Sequence, residues 1–279
     1  MQMISEFAPA KINLSLHLVG QKSDGYHLLD SIVSFVNVGD KISIEPGKSG
    51  DLKVAGPFAK DLPRSNHNLV LKAARLFNNI KLPRITLEKN IPVTSGIGGG
   101  SADAAATVRL FSKFYNKPEL TVEKLISLGS DVPVCMQKGI VRMTGVGEEI
   151  INLSPAPKVG ILLVNPRKAL STAEVFSAVK EKNNPGLNLQ GSGEKSLNSW
   201  FDWINSMRND LTASAIDLIP DIRFILDKLI ACDGAKVIRM SGSGATCFAL
   251  FEDFDLLQDA KLKIMKECPS FWCESGELI

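Results

Sequence analysis

The sequence predicts a mixed α+β protein in two domains, and three observations carry that expectation. Runs that alternate apolar and polar residues are interspersed with runs whose apolar residues recur at helical spacing. The length of 279 residues leaves room for two domains with their own cores, or for one large one. A break with two prolines, SPAPK at 154–158, separates strand-like segments and favours a division into residues 1–155 and 156–279. Composition is that of a globular protein, with 44% hydrophobic and 22% charged residues. A net charge of +2 argues against nucleic acid or an anionic membrane as partner. No apolar run reaches the length of a membrane span, and the N-terminus lacks a basic-then-apolar export signal. Five scattered cysteines without a CxxC pair read as reduced thiols, not as a disulfide framework or zinc site. These features point to the cytoplasm, or to an organelle after loss of a targeting peptide.

Taken in order, residues 7–19 (FAPAKINLSLHLV) alternate from Lys11 onward. Ile12, Leu14, Leu16 and Leu18 form a core face; Lys11, Asn13, Ser15 and His17 form the other. That second face either meets water or brings a cation and a carboxamide to one ligand. Asp24-Gly25 marks a hairpin turn, with Tyr26 and His27 at its mouth, a ring and an imidazole suited to stacking on and bonding to a heterocycle. Residues 66–79 read as an amphipathic helix with asparagines available for its N-cap. RITLEKNI (84–91) is a strand, and it delivers the chain to IPVTSGIGGGSADAAA (91–106).

This stretch has four glycines in five positions, Gly96, Gly98, Gly99 and Gly100. Such a density means a sharp turn or a close approach to the main chain. Ser101 is the expected N-cap of the helix that follows, with Asp103 in its first turn. Strand, glycine loop and helix N-terminus together suit a polyphosphate. The loop lacks the Lys-Ser or Lys-Thr of a Walker loop, and it lies too far along the chain for a Rossmann fingerprint.

A short helix capped by Thr121 stops at Gly129, and Pro133 makes the chain extended or turning just after Asp131. In the second half VGILLVN is a buried strand, and Ser171 with Glu174 forms a capping box. Residues 183–195 are polar and glycine-bearing, and are expected to be mobile, with a lid over the substrate suggested only by composition. Helical segments run to Cys232 with a break at Pro220. AKVIRMSGSGATCFALF (235–251) reads as strand, SGSGA turn and strand, a second glycine loop that a plain hairpin turn explains equally well. A helix near 254–267 and a short strand complete the reading.

Three stretches, PAKINLSLHLVGQKSDGYHLLDSI, IPVTSGIGGGSADAA and MSGSGATCFALF, resemble in order the three motifs of the small-molecule kinase superfamily named for galactokinase, homoserine, mevalonate and phosphomevalonate kinases. They span about residues 8–251, nearly the whole chain. The DGYH and LGSDVPV sequences are most similar to the member acting on cytidine diphosphate-linked methylerythritol. The resemblance implies an N-terminal ribosomal S5 domain 2-like domain and a C-terminal ferredoxin-like α+β domain with the site between them. It also implies transfer of a phosphoryl group from ATP, with Mg²⁺, to a substrate hydroxyl. Asp131 is implied as the base and Lys11 as the neighbour that lowers the hydroxyl pKa and steadies charge. The loop residues Pro92, Val93, Thr94, Ser95, Gly96, Ile97, Gly98, Gly99, Gly100, Ser101 and Ala102 are implied to wrap the ATP phosphates. Asn68 and Lys89 are implied to line the adenine pocket. The resemblance further implies that Asn13 holds the substrate, that Tyr26 and Phe176 sandwich its cytosine ring, and that His27 reads the ring edge. Asn209-Asp210-Leu211 matches a further family stretch with no assigned role. Thr94-Ser95 and Ala102 depart from the common pattern, and no protein metal ligand is implied, although Ser101 and Asp103 lie near enough in sequence to be asked about. Other acceptor alcohols, such as homoserine or a mevalonate-like acid, offer no ring for Tyr26 and His27. A non-catalytic sensor would have no need of Lys11, the loop and Asp131 together.

Overall fold

The computed structural model describes residues 3–45, 51–62, 68–78, 80–189 and 196–279. In chain order its strands are β1 (Ile4–Asn13), β2 (His17–Gln21), β3 (His27–Glu45), β4 (Leu52–Ala55), β5 (Arg84–Glu88), β6 (Ile140–Gly145), β7 (Glu149–Ser154), β8 (Gly160–Asn165), β9 (Ala235–Met240), β10 (Cys247–Phe251) and β11 (Trp272–Glu277). The helices are α1 (Leu69–Arg75), α2 (Gly99–Tyr115), α3 (Val122–Leu128), α4 (Thr172–Ala178), α5 (Leu197–Asn205), α6 (Thr212–Leu218), α7 (Asp221–Ile230) and α8 (Phe254–Glu267).

The chain divides into two compact units that interleave: residues 1–10, 39–93 and 98–137 form one, and 11–38, 94–97 and 138–279 the other. The reason is β3, which is 19 residues long and serves both units. Its first half pairs antiparallel with β6, Leu29 to Val33 against Gly145 to Val141. Its second half pairs antiparallel with β5, Lys41 to Glu45 against Glu88 to Arg84.

In the first unit β4 runs parallel to β5, and α1 packs on α2. The helix expected over 66–79 is shorter, Leu69–Arg75, with Asn68 as its N-cap; residues 63–67 and 79 lie outside the described residues. In the second unit the Asp24-Gly25 turn forms as expected, with Gly25 at φ 92° and β2 antiparallel to β3. β7 extends this ladder beside β6. The second sheet has the order β11-β8-β10-β9 with every pair antiparallel. Counted along the chain within that sheet, the order is 4-1-3-2, the ferredoxin-like arrangement, and α7 and α8 pack against it. β8 is buried along its whole length, as a strand covered on both faces must be. Among the described residues no helix is long and apolar enough to cross a membrane.

Candidate active site

The glycine loop takes left-handed torsions at Gly96 (φ 75°) and Gly98 (φ 65°), and also at Thr94 (φ 50°). The N-cap of α2 is Gly98, not Ser101. The chain enters the helix through a left-handed residue, which glycine adopts without a Cβ penalty, so the helix begins before Ser101. No side chain caps this end, and the helix is 17 residues long. Its first-turn N–H groups and dipole therefore suit an anion.

In the second unit the polar face of residues 11–17, from the end of β1 to the start of β2, is buried, which overturns the reading of a face turned to water. Lys11, Asn13, Ser15 and His17 are all at or below 4% exposed. Each buried polar group needs a partner, and the partners bring three motifs together. The Lys11 main-chain N–H donates to the Ile97 carbonyl (2.9 Å). The Asn13 N–H donates to Ser241 Oγ (3.1 Å), and Ser241 Oγ donates to the Gly96 carbonyl (3.0 Å). The Thr246 N–H donates to the Ser95 carbonyl (3.1 Å). A Cβ on Gly96 would lie 2.5 Å from the Gly244 carbonyl oxygen and 2.6 Å from that of Ser241, so the two glycine segments touch backbone to backbone. The SGSGA turn is thus both a hairpin turn and the support of the first loop. Asn13 Nδ2 donates to Ser31 Oγ (2.8 Å), while its buried Oδ1 has no hydrogen-bond partner among the described residues. That orphan acceptor faces Gly242, where a Cβ would sit 3.3 Å from it. It can receive a hydrogen bond from a ligand hydroxyl.

In the first unit Asp131 is half-buried in the turn between α3 and the 3₁₀ turn Val134–Met136. The turn is closed by Val132 N–H to Gly129 O (3.0 Å) and Cys135 N–H to Asp131 O (3.2 Å). A Cβ on Gly129 would lie 3.8 Å from Ser101 Oγ, so this turn adjoins the first turn of α2. Leu69, next to Asn68, approaches the same helix end: a Cβ on Gly100 would lie 3.5 Å from it. The Asn68 side chain itself accepts from Val70 N–H as a helix cap.

Lys89 differs from its expected place in an adenine pocket. It is 1% exposed, and its ammonium donates to Asp40 Oδ2 (2.5 Å) and Asp103 Oδ2 (2.9 Å). Asp40 Oδ1 in turn accepts from the N–H groups of Asn90 and Ile91. The lysine therefore ties the end of β5 to α2 from beneath the loop. Burial opposes its charge, but Asp103 and Asp40 hold its pKa above the ordinary value. Two carboxylates for one ammonium leave a negative charge over. Burial pushes the Asp103 carboxyl up to about 7 despite the pull of Lys89, with Asp40 adding to the push. A native carboxyl raised from 3.8 to about 7 holds a proton that the unfolded chain releases. Its contribution to stability is full at acid pH and declines as pH rises from about 4 to about 7. Asp103→Asn mimics the protonated form. Its urea midpoint, measured against wild type, is expected to move in the variant's favour from about pH 5 to about pH 8. A pH-independent difference would contradict the shared-charge account.

The acceptor-side residues lie in the second unit. Tyr26 is 67% exposed at the hairpin tip. His27 and Phe176 are in ring contact, centroids 5.0 Å apart and tilted by 34°. Burial, then the Lys182 charge, lowers the His27 pKa, so the ring is neutral near pH 7; its Nδ1 is buried without a partner among the described residues. Residues 183–189 are tied down, contrary to the expectation of mobility, and 190–195 lie outside the described residues. Asn184 N–H donates to Leu18 O (2.8 Å) and Leu187 N–H to Asp30 Oδ2 (2.9 Å). Burial would raise the Asp30 pKa, but the two-pronged Arg142 fork and the Leu187 N–H hold it below the usual range.

Two family models match the chain. Residues 68–142 match the GHMP kinases N terminal domain and residues 188–270 the GHMP kinases C terminal domain. A 4-diphosphocytidyl-2-C-methyl-D-erythritol kinase of Roseobacter denitrificans is 42% identical over 99% of this chain and 94% of its own. One of Paracoccus denitrificans is 45% identical over 98% and 96%. The chain belongs to the 4-diphosphocytidyl-2-C-methyl-D-erythritol kinase family. A crystal structure of a 4-(cytidine 5'-diphospho)-2C-methyl-D-erythritol kinase superposes with a TM-score of 0.81 at 28% identity, covering 99% of both chains. A homoserine kinase from Cytophaga hutchinsonii shares the fold, with a TM-score of 0.69 at 16% identity.

For a kinase of this family, several residues that hold the site carry no signal in the sequence. Ser241 and Asn209 could have been sought in the SGSGA and NDL stretches, because both motifs stood without a role. Asp40 and Ser31 have no local mark, since their partners lie far away in the chain.

Proposed function

We propose that the protein transfers the γ-phosphoryl group of ATP to the 2-hydroxyl of 4-diphosphocytidyl-2-C-methyl-D-erythritol, in the non-mevalonate route to isoprenoid precursors. The observation that carries this reading is the joint between β1 and the two glycine segments. A strand bearing Lys11 and Asn13 is hydrogen-bonded to the loop suited to phosphates and to the turn that supports it. Phosphoryl transfer needs positioning and charge compensation more than covalent help.

In this reading Asp131 takes the proton of the 2-hydroxyl, and the freed oxygen attacks the γ-phosphorus. The bond to the β–γ bridging oxygen breaks and ADP leaves. Lys11 offsets negative charge on the reacting oxygens. The Asn13 Oδ1, without a partner among the described residues, orients an acceptor hydroxyl. The loop 92–102 and the α2 N-terminus hold the phosphates, with Asn68 at the adenine end. Mg²⁺ bound with the nucleotide would offset phosphate charge. This ion needs only one or two protein oxygens beside phosphates and water, and the half-buried Ser101 hydroxyl in the first turn of α2 suits it. Asp103 is turned to Lys89 instead. Tyr26 and Phe176 stack on the cytosine, and the neutral His27 hydrogen-bonds to its edge. Solubility in the cytoplasm fits this substrate pair.

ADP release with ATP and the cytidyl substrate is the direct test; release with homoserine or mevalonate instead would overturn the acceptor. Tyr26→Ala and His27→Ala are each expected to raise KM for the cytidyl substrate about 10-fold, as loss of one stacking or hydrogen-bonding partner does. Unchanged KM in both would remove the cytosine assignment.

A further inference from the structure

We propose that the segment Arg208–Asn209–Asp210 is a positioning strut that sets both substrate subsites, Asn209 through the phosphate loop and Asp210 through residues 183–189. The inference rests on the kinase reading above and gives a role to a stretch that the mechanism leaves unused. All the residues concerned lie in the second unit.

The strut lies beside the chain between Asn13 and the DGYH hairpin. Leu16 N–H donates to Arg208 O and Asp210 N–H to Leu16 O, both at 2.9 Å. Asn209 is 8% exposed, and its carboxamide is fully engaged within the protein. Nδ2 donates to the carbonyls of Met240 and Gly242, each at 2.8 Å, and Oδ1 accepts from Leu211 N–H at 3.0 Å. It therefore acts on ligands only through the 241–244 turn. That turn holds the carbonyl of Gly96 and the N–H of Asn13 through Ser241 Oγ. With a Gly96 Cβ position only 2.5 Å from the Gly244 oxygen, there is no gap in which the turn can move without the loop.

The other end of the strut faces the acceptor side. Asp210 Oδ2 accepts from Leu18 N–H (2.8 Å) and Oδ1 from Arg208 Nε (2.6 Å). Arg208 Nη2 donates to Pro185 O (2.8 Å), which fixes the 183–189 segment. His17 completes the contact. Its Nε2 accepts from Arg208 N–H, so the ring proton is on Nδ1, which donates to Pro185 O; both distances are 3.2 Å. Burial, and then the Arg208 charge, lower the His17 pKa, in keeping with this neutral tautomer. Asp30, 2.9 Å from Leu187 N, anchors the same segment to β3, four residues past Tyr26.

The two ends are separable by experiment on the full chain. Asn209→Asp keeps the shape but replaces two N–H donors with an acceptor facing two carbonyls. It is expected to raise KM for ATP and lower kcat by about 10- to 100-fold, with KM for the cytidyl substrate unchanged. Amide hydrogen exchange is expected to quicken at 94–97 and 241–246. Asp210→Asn is expected to raise KM for the cytidyl substrate about 10-fold with KM for ATP unchanged, and to quicken exchange at 183–189. Asn209→Ser, which keeps one donor, is expected to fall between Asn209→Asp and wild type, and it serves if the former does not fold. Equal losses with both KM values unchanged, or exchange that quickens uniformly over the second unit, would overturn the strut as a positioning device. If wild type releases no ADP with the cytidyl substrate, the kinase reading fails. The exchange pattern then decides the strut alone: local and different in the two variants supports it, uniform overturns it.

Discussion

Replacing Asp131 with Asn is expected to lower turnover about 10²- to 10⁴-fold, the range for a positioned base, while ATP affinity stays near wild type. Asn keeps the size and turn propensity of Asp, and main-chain bonds from Val132 and Cys135 hold the turn in either case. Asp131 is half-buried in a turn that adjoins the first turn of α2 at Gly129, and in the proposed reading a phosphate is bound at that helix end. Steady-state ADP release gives turnover, and titration with a non-hydrolysable ATP analogue gives affinity. A fully active variant would remove the base assignment. A joint loss of activity and analogue binding would make Asp131 part of the nucleotide site instead.

Lys89→Met is expected to cost about 3–5 kcal/mol of stability, the range for removing one partner of a buried ion pair. Methionine fills similar space, so the loss comes from two carboxylates left facing each other without the ammonium. Burial makes the effect large: the charged atoms of all three side chains are almost out of solvent, where water cannot compensate. The double variant Lys89→Met with Asp103→Asn removes one of the stranded charges and is expected to recover part of the loss, a non-additive result for groups in one network. Urea unfolding of the three variants measures this. A single-variant loss within about 1 kcal/mol, as for an exposed pair, would show that the cluster does not bear on the fold.

Much of the architecture was legible because its causes are local. The Asp24-Gly25 turn, the stop at Gly129, the caps at Thr121 and Ser171 and the helix over 254–267 all follow from torsional preference or spacing. The glycine loop was legible for the same reason, since only glycine enters α2 easily through a left-handed residue. The N-cap was misplaced by three positions because a serine signal competed with a glycine conformation that side-chain chemistry does not reveal. Alternation over residues 11–18, which span the end of β1 and the start of β2, correctly set Ile12, Leu14, Leu16 and Leu18 into the core, yet it also suggested that the opposite face met water. Period 2 reports that two faces differ in polarity. It does not say what covers the polar one.

The sequence by itself determined the order of elements, the glycine loop ahead of α2 and, through its three motifs, the kinase family. Tertiary structure alone decided that Lys89 lies between two carboxylates, that β3 belongs to two units, and that Asn209 holds the turn on which the phosphate loop rests. Torsions and periodicities are properties of neighbouring residues, whereas the partner of a buried amide or ammonium is chosen by whichever distant segment folding brings within about 3 Å.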